Sequence, residues 1–228
     1  MEFFYPVVRF FTAGGWFMFP ILLTGAVAAA ITIERYITLG RMGARNRRTW
    51  AQVEPAIASG DFDKARDLMS KDDSPIARVL TMGLTLQGAV RRRDDVEKAM
   101  QEGMMEIVPQ LEKRTHYLAT LANVATLLGL LGTVSGLIHA FAAVATVNPA
   151  EKANLLSASI SEAMNCTAFG LVTAVPILVL HAFLQSKTMG LNDGLETAAI
   201  RFLNALAARQ AARAQSRLEL VQQAASAA

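Results

Sequence analysis

The sequence predicts an all-α membrane protein with three transmembrane helices, the second and third of which extend into a helical cytoplasmic portion. Of the 228 residues, 53% are hydrophobic, and the mean hydropathy is positive at +0.32. Charged residues make up 18%, but they are segregated into a few stretches and not interspersed as in a soluble domain. No stretch alternates apolar and polar residues as a half-buried strand would. These observations favour membrane helices joined to a solvated helical part.

The first transmembrane helix is expected over residues 15–39. Trp16, near its start, suits the aromatic belt at a membrane surface. We expect residues 1–14, which precede it, to form a periplasmic or interfacial segment. A cleaved signal peptide is the alternative, since small residues follow at 26–30, but the apolar stretch is longer than a typical signal peptide has.

Two further transmembrane helices are expected over residues 117–147 and 155–186. Each stretch is longer than the roughly 20 apolar residues that a membrane-spanning helix needs. Residues 148–154 between them include Asn148 and Pro149, which predict a short periplasmic turn.

The distribution of lysine and arginine predicts the orientation. Fourteen of the 22 basic residues lie between the first two spans and five follow the third, whereas the predicted turn holds only Lys152. Because cytoplasmic segments carry the excess of positive charge, we expect residues 40–116 and 187–228 in the cytoplasm. The N-terminus and the turn are then expected on the periplasmic side.

The cytoplasmic stretches are predicted to be helical and contain no catalytic signature, so we do not expect an enzyme. Gly60-Asp61 predicts the end of one helix and the start of the next, and Ser74-Pro75 predicts an N-cap followed by proline in the first turn. From about Asp95 the helical pattern runs unbroken toward the second span, with a kink expected at Pro109. Apolar residues recur at helical spacing in the tail, so the third membrane helix is also expected to continue into the cytoplasm.

Glu162 is the only acidic or basic side chain of the second and third spans apart from two histidines. A carboxylate at the bilayer centre costs about 2.5–3.5 kcal/mol on insertion scales, and less near the interface. Residues that are so costly in a membrane are usually functional. Glu162 is therefore the first candidate functional residue.

Small residues mark the second span. Gly129, Gly132 and Gly136 recur close to one helical face, a spacing that lets two helix backbones approach each other. Helix packing alone accounts for these glycines, and the hydroxyl of Thr133 can bond to its own helix. In the third span, Pro176 is expected to kink the helix and shape the bundle.

No cofactor, metal ion or nucleic acid is expected. His116, His139 and His181 come from separate places, and none has a metal-ligand neighbour at helical spacing. The net charge of +3 is too small to suggest nucleic-acid binding. Cys166, the single cysteine, is expected to be a small packing residue, since it has no partner for an intrachain disulfide.

Four motifs carry a resemblance to a known family. They are residues 14–22 leading to Glu34-Arg35, residues 74–80, residues 129–134 with Gly136, and residues 162–171 leading to Val175-Pro176. Their content and order resemble the MotA/TolQ/ExbB proton-channel family, specifically its three-span TolQ/ExbB branch. The resemblance covers nearly the whole chain.

This resemblance implies a proton-channel or stator subunit of a motor in the bacterial inner membrane, which couples the proton-motive force to work on a periplasmic or outer-membrane target. Members form a homo-oligomer, typically a pentamer, around a dimer of single-span partner subunits of the ExbD/TolR type, whose aspartate carries the protons. An effector of the TonB/TolA type is a further implied partner. By the same resemblance, Thr133 and Thr167 line the proton pathway, and Glu162 faces the pore near its outer end.

Some positions depart from the family pattern and keep alternatives open. Thr126 stands where proline is common, and His181-Ala182 stands where a tyrosine-asparagine pair is common, so the subfamily and the partner stay undecided. Thr167 lies about 140° around the helix axis from Glu162, which would let one of them face a neighbouring helix instead of the lumen. The alternative functions are a passive oligomeric scaffold, a gliding-type stator of the same family, and a substrate transporter, against which the absence of an internal repeat counts.

Overall fold

The computed structural model describes residues 14–86 and 93–226. Nearly all of the predicted interfacial segment therefore lies outside the described residues. The described chain forms helices and turns with no strand, which confirms the all-α prediction. Its six helices are α1 (Met18–Ala58), α2 (Phe62–Ser70), α3 (Pro75–Leu86), α4 (Arg93–Glu112), α5 (Thr115–Val144) and α6 (Pro149–Ser226).

Three stretches are long and apolar enough to cross a membrane. They lie within Met18–Ala58, Arg93–Val144 and Pro149–Leu220. A helix rises 1.5 Å per residue, so about 20 residues cover the hydrocarbon core of a bilayer. The helices that carry these stretches continue beyond that length, and the predicted three-span fold class is confirmed.

The chain divides into two compact units. One, which we call the span unit, comprises residues 14–36 and 114–186 of the described chain. The other, the loop unit, comprises residues 37–86, 93–113 and 187–226. The apolar parts of the three long helices lie mainly in the span unit, and α2 and α3 belong to the loop unit.

The predicted helix breaks of the loop unit are found in the structure. After α1 ends, Gly60 takes the left-handed conformation (φ +72°), which glycine adopts without a steric penalty. The carboxylate of Asp61 then accepts a hydrogen bond from the Lys64 backbone N–H and caps α2. Ser74 similarly caps α3, since its hydroxyl oxygen accepts a hydrogen bond of 3.3 Å from the Ala77 N–H, and Pro75 occupies the first helical position.

The helix that was expected to run unbroken into the second span is interrupted. Between α4 and α5, Arg114 has a φ of +67°, a conformation that costs a residue with a side chain roughly 1–2 kcal/mol. Pro109 deprives the last turns of α4 of one backbone hydrogen bond shortly before the helix ends. The Arg114 guanidinium lies 3.3 Å from the Glu34 carboxylate, an ion pair formed at the break.

The connection between α5 and α6 is shorter than expected. It comprises residues 145–148, and α6 starts directly at Pro149. Residues 149–154, which the sequence analysis assigned to a turn, are helical because proline is well tolerated in the first turn of a helix. α6 continues through Pro176, whose side chain is exposed.

Large side chains form the core of the loop unit. Phe62 of α2 and Phe202 of α6 are buried, and their rings meet edge to face with centroids 5.6 Å apart. Buried leucines and methionines of α2, α3 and α4 complete this core: Met69, Leu80, Leu84, Met100 and Leu111. It is the kind of core that a water-soluble domain has.

Candidate functional site: the contact between α5 and α6

Small buried residues line the contact between α5 and α6, which we call the seam. They recur every three or four positions, except that the half-buried Gly136 stands between Gly132 and Ala140, so on each helix they fall on one face. On α5 they are Ala122, Ala125, Gly129, Gly132 and Ala140, and on α6 they are Ala163, Cys166, Gly170 and Ala174.

The two backbones approach most closely at Gly129 and Gly170. A Cβ atom added to Gly170 would lie 2.8 Å from the carbonyl oxygen of Ala125 and 3.1 Å from the Cα atom of Gly129. A Cβ atom at Gly129 would lie 3.2 Å from the Cα atom of Thr167. Because these neighbours are backbone atoms, a side chain at either glycine would push the helices apart.

Farther along the seam, side chains of α6 fill the space that glycines of α5 leave. The sulfur of Cys166 occupies the position that a Cβ atom of Gly132 would take. The Cβ atom of Ala163 lies 3.0 Å from the Cβ position of Gly136. Cys166 is buried and reduced, and it packs here as a small apolar side chain.

Thr167 makes the polar contact across the seam. Its hydroxyl donates a hydrogen bond of 2.8 Å to the backbone carbonyl oxygen of Gly129, and the side chain is half-buried. The carbonyl is reachable because residue 129 has no side chain to cover it. Thr167 therefore contacts α5 across the seam.

Thr133 bonds to its own helix. Its hydroxyl donates to the carbonyl oxygen of Leu130, one turn earlier on α5, at 2.6 Å. Serine and threonine hydroxyls make this local bond often in helices. The side chain is half-buried, one position beyond Gly132 of the seam.

The Glu162 side chain is exposed and lies against the start of the first span. Its Oε1 atom occupies the position where a Cβ atom of Gly15 would be. Gly15 also has a φ of +73°, a conformation that residues with a side chain disfavour. Glycine therefore suits this position for two reasons: its backbone conformation, and the Glu162 carboxylate that takes the space of a Cβ atom. The sequence analysis did not find this contact. The glycine pair Gly14-Gly15 just before the first apolar stretch indicates a close approach or a turn there, but it does not identify Glu162 as the neighbour.

The structure gives the three predicted proton-pathway residues three different surroundings. Glu162 contacts Gly15, Thr167 contacts Gly129 across the seam, and Thr133 contacts its own helix. Within residues 14–86 and 93–226, no hydrogen bond or ion pair joins any two of the three. In the same ranges, no group of three or more His, Cys, Asp or Glu residues is arranged to hold a metal ion.

The helix faces that point away from the seam are apolar and exposed. On α5 these side chains include Leu130, Ile138 and Phe141, and on α6 they include Val172 and Val179. A row of exposed large apolar residues would be a liability in water but is normal against lipid tails or neighbouring membrane helices. The fold and these surfaces define a helical membrane protein in which an exposed acid, Glu162, lies beside a tightly packed helix pair.

Comparison with known proteins identifies the family. Residues 71–197 match the model of the MotA/TolQ/ExbB proton channel family. The match includes α5, the seam, Thr133, Glu162 and Thr167. The chain belongs to this family, as the resemblance of its motifs predicted.

Individual relatives agree with the family match. The chain is 30% identical to the biopolymer transport protein ExbB-like 3 of Synechocystis over 76% of this chain and 82% of that protein. It is 37% identical to the Tol-Pal system protein TolQ of Haemophilus influenzae over 37% of this chain and 36% of TolQ. It is 24% identical to the biopolymer transport protein ExbB of Pseudomonas putida over 80% of this chain and 58% of that protein.

Proposed function

We propose that this chain is the ring-forming, proton-conducting subunit of an inner-membrane motor, and that Glu162, Thr167 and Thr133 belong to its proton pathway. The motor couples the proton-motive force to mechanical work on a periplasmic or outer-membrane target. Each charge that crosses the membrane releases about 2.3 kcal/mol per 100 mV, so a few protons supply enough energy for a conformational step.

The observation that carries this proposal is the exposure of Glu162 beside a helix pair that is already closely packed. The seam uses the small faces of α5 and α6, and Glu162 lies next to Ala163 but outside the buried contact. A carboxylate on a membrane span is stable only if it faces water, a polar cavity or another subunit. Assembly of several copies would provide such a lumen.

The proposal includes a second polypeptide. Within the apolar stretches 117–147 and 155–186, Glu162 is the only carboxylate, and a lone exposed acid is poorly placed to relay protons across a whole bilayer. A partner of the ExbD/TolR type, with a single span and an intramembrane aspartate, would complete the path. The names of the relatives, ExbB and TolQ, support a partner of this type.

The proposed topology follows the charge distribution. The basic residues of the loop unit and of the end of α6 face the cytoplasm, and the start of α1 and the connection at 145–148 face the periplasm. Gly15 and Glu162 then both lie toward the periplasmic side. Protons entering from the periplasm would meet Glu162 before they reach Thr167 and Thr133.

Proton flux in proteoliposomes tests this proposal. The chain is co-reconstituted with a single-span partner of the ExbD/TolR type, and an imposed pH gradient is followed with an internal pH dye. We expect Glu162→Gln to lower the flux by about tenfold or more, a loss in the range that removal of a proton-transfer group produces. Glu162→Asp should retain part of the flux because it keeps the carboxylate.

Ser161→Ala is the matched control, since Ser161 is the exposed polar neighbour of Glu162 on α6. Its flux should equal that of the unmodified chain. If Glu162→Gln conducts normally while the complex assembles, the pathway role of Glu162 is wrong. The passive scaffold would then be the better description, in which Glu162 only orders the subunits.

A further inference from the structure

The turn that leads into α1 lies beside the Glu162 side chain of α6. The Oε1 atom of Glu162 takes the place that a Cβ atom of Gly15 would occupy, and the Cδ and Cγ atoms of Glu162 lie 3.3 and 3.6 Å from that position. Both residues belong to the span unit. Gly15 therefore limits where the carboxylate can stand.

Two contacts hold this turn in place. The Met18 side chain folds back over Gly14, with its Cγ atom 2.9 Å from the Cβ position of that glycine, and Met18 is completely buried. The Cβ atom of Phe17 lies 3.4 Å from the Cβ position of Gly132, a glycine of the seam. Because the turn is anchored both to its own helix and to α5, it cannot easily yield to a side chain placed at residue 15.

Beyond the turn, α1 runs alongside α6 in the same direction. The Cβ position of Gly25 lies 2.9 Å from the Cγ2 atom of Thr173. Farther on, the rings of Tyr36 and Phe183 are stacked with their centroids 6.3 Å apart. These contacts advance together along both helices, so α1 and α6 are parallel in the span unit. The start of α1 is therefore held beside Glu162 by a contact that continues along the first span.

The carboxylate of Glu162 has no polar anchor in the described part of the chain. No hydrogen bond or ion pair of residues 14–86 and 93–226 involves it. A proton-transfer group has to come within about 2.6–3.2 Å of its donor or acceptor, directly or through one water molecule. The shape of the surroundings, and not a polar partner in this chain, therefore decides whether the carboxylate stands at a suitable place.

We propose that Gly15 is a positioning residue of the proton pathway: because it leaves its Cβ space empty, the Glu162 carboxylate can stand where it exchanges protons. This proposal rests on the proposed function and gives the first span a part in a pathway that the motifs place on α5 and α6. A methyl group at residue 15 would displace the Oε1 atom by about 1 Å before the two atoms reached ordinary contact. A misplacement of about 1 Å can lower a rate by as much as about a hundredfold.

Gly15→Ala tests the proposal in the same proteoliposomes, which contain the full chain and its single-span partner. We expect the proton flux to fall by about fivefold, which is within the loss that a misplacement of this size can cause. The oligomeric mass should be retained. The loss should be smaller than that of Glu162→Gln, because Gly15→Ala moves the carboxylate and does not remove it.

Glu162→Asp supplies a rescue that only a steric role of Gly15 predicts. The shortened side chain has its carboxyl carbon at about the position of the present Cγ atom, which is 3.6 Å from the Cβ position of Gly15, so a methyl group there leaves it room. Added to Glu162→Asp, Gly15→Ala should therefore lower the flux by less than about twofold, against about fivefold when Glu162 is present. Such non-additivity is expected of two residues in contact.

Gly60→Ala is the matched control for backbone conformation. Gly60 has a φ of +72°, close to the +73° of Gly15, but its Cβ position meets the Arg209 side chain at an ordinary distance of 3.7 Å. Gly60→Ala therefore carries the same conformational cost without a contact to Glu162. It should lower Tm, but it should leave the proton flux within about twofold of the unmodified chain, because independent sites do not couple.

Three results would overturn this proposal and leave the proposed function intact. The first is a normal flux in Gly15→Ala while Glu162→Gln is impaired. The second is an equal loss from Gly15→Ala in the presence and absence of Glu162→Asp, which would show that strain in the turn causes the loss. The third is an equal loss in Gly60→Ala, which would assign the loss to the positive φ alone. A normal flux in Glu162→Gln, by contrast, would overturn both proposals.

Discussion

The seam of the span unit and the core of the loop unit are built on opposite principles. At the seam, the residues in contact are glycine, alanine and cysteine, and the two backbones themselves approach each other. In the loop unit, Phe62, Phe202 and large aliphatic side chains fill the space between the helices. One contact depends on missing side chains, and the other depends on large ones.

The difference follows from the solvent that each unit meets. In water, burial of a large apolar side chain is worth about 1.5–3 kcal/mol, so large side chains stabilise a core. In a bilayer the lipid is as apolar as leucine, and this driving force between helices is absent. Close packing and interhelical hydrogen bonds, such as that from Thr167 to the Gly129 carbonyl, hold the helices together instead. Substitutions that remove atoms should therefore destabilise the loop unit most, and substitutions that add atoms should destabilise the seam most.

The largest effect is expected from a deletion in the loop unit. Phe202→Ala removes a fully buried ring that contacts Phe62, and such truncations cost about 3–5 kcal/mol. Thermal unfolding followed by circular dichroism should show a clear decrease in Tm. Ile200→Ala, two residues away and 50% exposed, is the control and should change Tm little. Equal losses in the two variants would contradict a core centred on Phe202.

The next effect is expected from an addition at the seam. Gly170→Ala places a methyl group 2.8 Å from the Ala125 carbonyl oxygen, and overpacking of this kind costs about 1–3 kcal/mol. Gly190→Ala on the same helix adds the same methyl group where nothing lies within 4 Å, and it should stabilise by about 0.5–1 kcal/mol. Thermal unfolding of the two variants, measured in one detergent, should give shifts of opposite sign. Shifts of the same sign would show that the seam is not closely packed.

Local signals made the fold class and the family predictable from the sequence. Long apolar stretches predicted the three long helices, and Gly60 and Ser74 predicted helix boundaries that the structure contains. Such features depend on residues that are close in the chain. The family followed from four motifs, three of which lie within residues 71–197, which match the family model.

Contacts between distant residues were not predictable in the same way. The Oε1 atom of Glu162 lies against Gly15, and no local pattern links these two positions. The break at Arg114 was missed because arginine carries no signal for a positive φ. A cavity of the loop unit between α1 and α6 depends on which helix faces meet, which only tertiary packing decides. The roles of Thr133, Glu162 and Thr167 in proton transfer stay predictions.

The loop unit also contains a network of polar groups that are hydrogen-bonded to the carboxylate of Asp72. The carboxylate accepts hydrogen bonds from the Thr49 hydroxyl, from the Ser74 N–H at 3.0 Å, and from the Arg45 guanidinium at 3.2 Å. Burial by itself would raise the pKa of Asp72, but the hydrogen bonds from Thr49, Ser74 and Arg45 together hold this pKa below its ordinary value of 3.8. The network joins α1 to the start of α3.

The last of these effects, and the one that depends on pH, is expected from Asp72→Asn. Because the folded pKa of Asp72 lies below the unfolded value, its charge stabilises the protein above pH 3.8, and this contribution is lost as the pH falls through the folded pKa. At pH 7 the substitution should cost about 1–3 kcal/mol, since an amide cannot replace all the bonds of the carboxylate. The difference in Tm from the unmodified chain should shrink as the pH is lowered toward about 3. Asp73→Asn, at the exposed neighbouring position, should lower Tm less at pH 7, and a pH-independent difference for Asp72→Asn would contradict the network.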